Sequence, residues 1–426
     1  MDFSEHLKKY LSEKEIKALL ESLNNNMVQH ALVLNLEKIS NEQFILEFPN
    51  VTKHPIVPNV YLYNSKKYSF GKHIYHEMGF YYIFEPCSSI VSYLLNPSEE
   101  DTILDIAAAP GGKSIHSSLM MNNQGLLISN EIQTARSYIL SSNVERMGRK
   151  NIIVTNNNID DLSKKYQDTF TKIILDAPCS GSGMFRKMEE MRNDWTYQKV
   201  LSLSELQKDL ILKAYSMLTP GGTMVYSTCS FSYEEDEEVI QYLLNNSNAK
   251  LKSFEISKYY FQSESKIGIH LFPYLFSGEG HYVCLIEKPN DYQIPSKKIL
   301  KDSFNDIRKL TKLEDGFIIK NDNNFYYINK YFDTKGLHLI RCGLKIGTME
   351  KFGFVYDHAL SHYSKNINSL ELTLEEAKSY IEGNQIIKNC KDGQILLTYQ
   401  GNGIGFGKAS KNRINKKYPK GLRIKL

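Results

Sequence analysis

Between residues 100 and 230, apolar runs of strand length alternate with helical stretches, and this restricts the fold more than any other feature of the chain. DTILDIAAA (101–109) reads as a buried strand, followed by a Pro-Gly-Gly turn and a helix from Ser114. GLLISNE (125–131) reads as a second strand and TARSYILSSNVERMG (134–148) as a second helix. NIIVTNN (151–157), KIILDAP (172–178) and GGTMVYSTC (221–229) continue the series. Strands alternating with helices predict an α/β fold: a Rossmann-like, mainly parallel sheet with helices on both faces. Such sheets bind ligands beyond the carboxyl ends of their strands, and three motifs fall at those ends.

The first is Asp105 to Ser114, DIAAAPGGKS. A glycine turn between strand and helix lets backbone approach a ligand, and the helix amino end offers free N–H groups. Glu131, at the end of the next strand, is placed to bond ribose hydroxyls. A phosphate-binding P-loop competes for Gly112-Lys113-Ser114, which would make the chain an NTPase. That pattern needs glycine at 107, where the chain has Ala107, and Pro110 removes an N–H from the loop.

The other two motifs carry cysteine: Asp176-Ala177-Pro178-Cys179-Ser180-Gly181 and Tyr226-Ser227-Thr228-Cys229-Ser230. A lone buried cysteine is ordinarily packing. Two thiols in polar turns at the ends of neighbouring strands would share one crevice with Gly111 and Glu131, which suits nucleophilic catalysis. The pattern leaves open which thiol attacks. The six cysteines form no CxxC pair, so no structural zinc site is expected, and no metal needs invoking elsewhere. The absence of a basic-then-apolar leader and the few cysteines predict a cytoplasmic protein without a membrane segment.

The flanks differ in charge. Residues 291–426 carry 24 Lys and Arg against 14 Asp and Glu, whereas residues 1–290 carry 28 against 34. A basic end on an acidic body suggests a polyanion partner. Lys408, Lys411, Arg413, Lys416, Lys417 and Lys420 are interleaved with Tyr399, Phe406 and Tyr418, a mixture suited to RNA. In the N-terminal part, residues 5–23 space apolar residues as one or two amphipathic helices, and 31–39, 43–48 and 60–63 read as strands. KPNDYQIPSKK (288–298) reads as a linker. Beyond it, 317–328 predicts a hairpin, 374–384 a short helix ending near Gly383, and 394–410 β structure with glycine turns.

With AAAPGGK, DAPCSGSGMFRK, LTPGGTMVYSTCSF and LFPYLFSGEGHYV in place, most of the chain resembles the RNA (cytosine-5) methyltransferases of the Sun-domain family, in particular its RsmF-type bacterial branch. The closing run Tyr399–Leu422 resembles that branch's PUA-like RNA-binding module. The resemblance implies a class I methyltransferase sheet at 96–289, preceded by an N-terminal α+β RNA-binding segment at 1–95 and followed by an intermediate domain at 296–362 and a basic PUA-like domain at 363–426. It implies binding of S-adenosyl-L-methionine by Ala107, Ala108, Ala109, Pro110, Gly111, Gly112, Lys113, Glu131, Asp176 and the position of Asn158. It assigns Cys229 as nucleophile and Cys179 to product release, and implies a monomer acting on small-subunit ribosomal RNA, free or assembled. Asp176, with Lys113 as a second polar contact, would meet the target base. Arg186 and Lys187 are placed to grip substrate phosphate. Cys87, in Glu85-Pro86-Cys87-Ser88, reads as structural. Trp195 reads as a core anchor, Glu234 to Glu238 as the acidic first turn of a helix, and His73, His76 and His281 as ordinary polar residues. An RNA-binding assembly factor without catalysis is the alternative of another class.

Overall fold

The computed structural model describes residues 2–24, 29–290, 304–313, 316–363, 367–415 and 417–425. Its centre is a nine-stranded sheet. From one edge the order is Lys250–Leu251, His281–Glu287, Leu218–Thr228, Phe170–Asp176, Thr102–Asp105, Leu126–Asn130, Ile152–Thr155 and Leu339–Cys342, with Ile269–Leu271 pairing beside His281–Glu287. The five inner strands, from Leu218–Thr228 to Ile152–Thr155, are parallel. Buried on both faces, they read as near-continuous runs of Ile, Leu and Val. The chain reverses its order between Thr102–Asp105 and Phe170–Asp176, which opens a crevice beyond their carboxyl ends.

The expected α/β sheet with helices on both faces is therefore present, and two strands extend it. His281–Glu287 runs antiparallel beside Leu218–Thr228, with Tyr282 opposite Thr228. Leu339–Cys342, from beyond residue 303, pairs with Ile152–Thr155 and closes the far edge, covering backbone groups that would otherwise stand open.

The N-terminal part holds helices Phe3–Leu7 and Glu13–Leu23 and a four-stranded antiparallel sheet, Thr52–Lys53, Val60–Tyr63, His30–Leu34 and Tyr81–Phe84. The strand expected at 43–48 is instead the helix Asn41–Glu47. Ser40 and Gln43 form a capping box, and Phe44 and Phe48 are buried four residues apart while Leu46 is 86% exposed. That spacing is helical, and the capping pair outweighs the β-prone composition of QFILEF. The predicted hairpin forms as Phe317–Asn321 and Asn324–Ile328. The C-terminal sheet contains Gly393–Tyr399, Asn402–Ser410 and Arg413–Asn415, with helix Leu374–Ile381 packed against it. Most of the linker reading lies outside the described residues, as does Lys416. Among the described residues no helix is long and apolar enough to cross a membrane.

Candidate active site

The turn after Thr102–Asp105 places its backbone by sterics. Gly111 has φ +114° and caps the helix Gly112–Met120, and a Cβ there would lie 3.0 Å from Leu140. Only glycine takes that conformation freely. The loop is pinned from behind: Arg136 donates to the Ala109 carbonyl at 2.7 Å, and Asn143 donates to that of Pro110 at 2.9 Å. In front lies a cavity of about 330 Å³ whose lining includes Tyr82, Asp105, Ala107 to Pro110, Gly112, Lys113, Asp176 and Lys187.

Asp105 is 1% exposed. Its Oδ2 accepts the Ser114 hydroxyl at 2.6 Å, while its Oδ1 is buried with no hydrogen-bond partner. Burial pushes its carboxyl up to about 7 against the opposing pull of Ser114 and Lys113. Glu131 is 2% exposed; Oε1 accepts the Gln133 N–H at 2.9 Å, and Oε2 has no hydrogen bond, with Arg136 3.6 Å away.

The two cysteine turns meet at the neighbouring strand ends. Strand register sets Asp176 opposite Ser227, and the Cys179 and Cys229 sulfurs lie 3.1 Å apart. The Cys229 bond and burial raise the Cys179 thiol well above its ordinary value, so Cys179 keeps its proton. Asp176 accepts from Lys113 Nζ at 2.8 Å and from the Ser227 hydroxyl at 2.7 Å. Burial alone would raise its carboxyl, but Lys113 and His281 together outweigh burial and hold it well below the usual carboxylate range. Lys113 is likewise kept charged against its own burial by Asp176. The result is a carboxylate and an ammonium beside a pair of thiols, at the mouth of the cavity.

A buried acid ties the turns together. Glu235 is fully buried and accepts from the Ser180 N–H at 2.8 Å, the Ser180 hydroxyl, the Ser230 hydroxyl at 2.6 Å and Gln207 at 3.1 Å. It thus bonds the residue following each cysteine. Gly183 completes the join: its N–H donates to the Cys229 carbonyl at 2.8 Å, and a Cβ there would stand 2.9 Å from that oxygen. The acidic run is therefore more than a first helical turn. The helix begins at Glu237, and Glu234, Glu235 and Asp236 precede it, buried. Asp236, Glu237 and His270 are the His-and-carboxylate group, among the described residues, whose atoms approach closely enough to hold a cation, within 4.8 Å. Their own chemistry also accounts for them without one. His270 Nε2 faces Glu237 at 3.1 Å, and burial, then Glu237, raise Asp236 well above its usual range, leaving it protonated 4.0 Å from the other ring nitrogen.

The family profile described as 16S rRNA methyltransferase RsmB/F matches residues 92–287, and that of the methyltransferase RsmF PUA domain matches 367–424. Ribosomal RNA small subunit methyltransferase F of Vibrio parahaemolyticus is 31% identical over 385 residues, covering 82% of this chain and 80% of that protein. The chain belongs to the RsmB/F methyltransferase family. Among solved structures, PH0851 has a TM-score of 0.61 at 27% identity, with 67% of this chain covering 65% of that one. A methyltransferase homolog protein from Pyrococcus horikoshii has a TM-score of 0.57 at 26% identity, covering 67% of this chain and 93% of that one.

Within this RsmB/F-family chain, the structure brings some of the residues expected from sequence together and sets others elsewhere. Cys179, Cys229, Asp176 and Lys113 come together, and Ala107 to Pro110 and Gly112 line the cavity beside them. Asn158 is exposed, and its side chain caps the helix Ile159–Lys165 by accepting from Asp160 N–H. Arg186, expected on substrate phosphate, is turned inward, bonded to Glu279 at 3.2 Å and to the Gly278 carbonyl at 2.6 Å, with its side chain 6% exposed; Lys187 beside it reaches the cavity. Lys408, Lys411, Arg413, Lys417 and Lys420 are exposed. Phe406 and Tyr418, expected to offer stacking faces, are buried at 6% and 3% and pack on Tyr356 and Tyr380. Trp195 is half-buried against Phe3 and His6, and Cys87 is fully buried with its thiol pushed well up by burial.

Asp105, Glu235 and His281 belong to the site and were not marked out by sequence reading. Asp105 opens the first motif, and its signal was there to use. Glu235 and His281 are brought in by pairings between distant segments, for which the sequence holds no local sign.

Proposed function

We propose that this protein transfers a methyl group from S-adenosyl-L-methionine to carbon 5 of a cytosine in small-subunit ribosomal RNA, through a covalent bond between Cys229 and carbon 6. The observation that carries this reading is the pair of thiols 3.1 Å apart beside the ionised Asp176. Carbon 5 of cytosine is a weak nucleophile. Addition of the Cys229 thiolate to carbon 6 turns the ring into an enamine, whose carbon 5 attacks the activated methyl. Asp176 faces the amidine edge of the base and accepts from its exocyclic amine, and Lys113 offsets charge gathering on the ring. A water molecule takes the carbon 5 proton, its C–H electron pair forms the carbon 5–carbon 6 double bond, and the carbon 6–sulfur bond breaks with its electron pair returning to Cys229. Cys179, held protonated beside Cys229, is placed to serve that release by donating its S–H to the departing sulfur. A base paired in a helix has to be turned out to reach these sulfurs.

The cofactor supplies the electrophilic methyl. Asp105, with its unpartnered Oδ1, and Glu131, with its Oε2 free of hydrogen bonds, would hold the polar groups of this cofactor, and the Gly111 turn would leave backbone room for it. The exposed basic residues of the C-terminal sheet suit an RNA backbone. A P-loop reading has no support in a loop that lacks the first glycine, and intact thiols argue against a silent assembly factor.

The test is direct. Purified protein is incubated with methyl-tritiated S-adenosyl-L-methionine and unmodified 16S rRNA, free or in subunits, and the product is digested to nucleosides. Label in 5-methylcytidine is expected; label in another nucleoside, or none with either substrate, overturns the proposal.

Asp105 has a measurable consequence in the cofactor-free protein. Its carboxyl rises from an unfolded value near 3.8 to about 7. Between those pH values the unfolded chain has lost this proton and the folded one keeps it, so stability falls as pH rises, by roughly 4 kcal/mol in all. Asp105→Asn is expected to remove that part of the slope between pH 4 and 7 in denaturant melts, and to weaken cofactor binding. Parallel stability curves for the two proteins would contradict the assignment.

A further inference from the structure

His281 is the first residue of the strand His281–Glu287, at the edge where the Cys229 turn ends. Because Tyr282 pairs with Thr228, His281 and Cys229 are the next residues on their two chains. The ring is buried, with its side chain 9% exposed. Nδ1 lies 2.9 Å from the Gly280 carbonyl. Nε2 has no hydrogen-bond partner within ordinary reach and stands 3.6 Å from Asp176 Oδ1.

A neutral imidazole carries one N–H and one lone pair. Both ring nitrogens here face oxygens that only accept, a carbonyl and an ionised carboxylate. Either neutral tautomer sets a lone pair against one of them, whereas the imidazolium offers an N–H to both. The charged and titratable groups near it are Asp176 at the end of its strand, Lys113 on the opposite side of Asp176, the thiols of Cys229 and Cys179, and, two residues back along the chain, Glu279 paired with Arg186.

We propose that His281 is a positioning residue for the methyl transfer, acting as an imidazolium that, with Lys113 and Ser227, fixes the charge and direction of the Asp176 carboxylate. This rests on the reading of Asp176 as the group that meets the base. Lys113 from the cofactor-loop helix and Ser227 from the nucleophile strand donate to this carboxylate, and His281 from the antiparallel strand beside it stands 3.6 Å from the oxygen that Ser227 bonds. Removing one leaves Asp176 free to turn away from the base without breaking the sheet or the cofactor cavity, whose lining does not include His281.

The experiment has two arms. In the first, uniformly ¹⁵N-histidine-labelled protein is titrated by long-range ¹H–¹⁵N correlation spectroscopy, the His281 signals being assigned as those missing from His281→Phe. Protons on both ring nitrogens are expected in the wild type, and loss of the one facing Asp176 is expected in Asp176→Asn. A neutral ring that is the same in both proteins overturns the proposal, and this arm reads out whether or not any RNA is methylated. In the second, steady-state methylation is compared for wild type, His281→Phe and His281→Gln. His281→Phe is expected to lower kcat by about 10–100-fold, the range for loss of a group that orients a functional ligand, with the cofactor KM unchanged. His281→Gln, which keeps an N–H donor, is expected to recover part of that loss. Unchanged kcat in His281→Phe, or equal loss in both variants together with a lowered Tm, overturns it.

Discussion

Cys229→Ala is expected to abolish methyl transfer, lowering turnover by at least ~10⁴-fold, with no RNA–protein adduct on a denaturing gel. The size of the effect follows from the chemistry, since without addition at carbon 6 the ring never becomes nucleophilic at carbon 5. No neighbour can substitute for the lost sulfur. Cys179 is 3.1 Å away, and although the bond to Cys229 that raises its thiol most is lost in this variant, burial and the neighbouring Glu235 and Asp176 still push the thiol up and favour its protonated form. Folding should be unaffected, because the fixed points of the turn are the Gly183 N–H on the Cys229 carbonyl and the bonds of Glu235 to Ser180 and Ser230, none of which uses the sulfur. A Cys229→Ala protein with a normal Tm and near-normal turnover would remove the mechanism while leaving the family membership intact.

Cys179→Ala should fail differently. Addition and methyl transfer still proceed through Cys229, but the group beside the carbon 6–sulfur bond is gone. The expected result is turnover reduced by about 10²–10⁴-fold, the usual worth of a proton-transfer group, with a covalent RNA–protein complex that accumulates and survives denaturation. The double variant should show no adduct. A Cys179→Ala enzyme that turns over normally, or one that is inactive without adduct, would reverse or dissolve the division of labour between the thiols.

The parts of this arrangement legible in the sequence are those where chemistry and secondary structure coincide over a few residues. Thr102–Asp105, Phe170–Asp176 and Leu218–Thr228 each carry an apolar run that reads as a strand, and the motifs lie at their ends because polar Gly, Pro and Ser turns interrupt those runs. What was not legible depends on register and on which way a side chain turns. Arg186 follows the second cysteine motif and looks available for phosphate, yet Glu279, almost a hundred residues on, captures it. His281 gains its meaning only because Tyr282 falls opposite Thr228. Glu235 looks like helix-start decoration until its burial against Ser180 and Ser230 is known. Phe406 and Tyr418 sit among basic residues in sequence but are buried in space, Phe406 against Tyr356 and Tyr418 against Tyr380. The helix Asn41–Glu47 departs from the strand that its apolar content predicts because the Ser40–Gln43 capping box outweighs that content.

The central claim is that this chain methylates carbon 5 of a cytosine in ribosomal RNA, and bisulfite sequencing of small-subunit rRNA tests it most directly. RNA is compared from cells carrying the intact gene, the Cys229→Ala allele, and no gene. The account predicts at least one cytosine protected from conversion with the intact gene and converted in both other strains. Identical conversion in all three strains would contradict it.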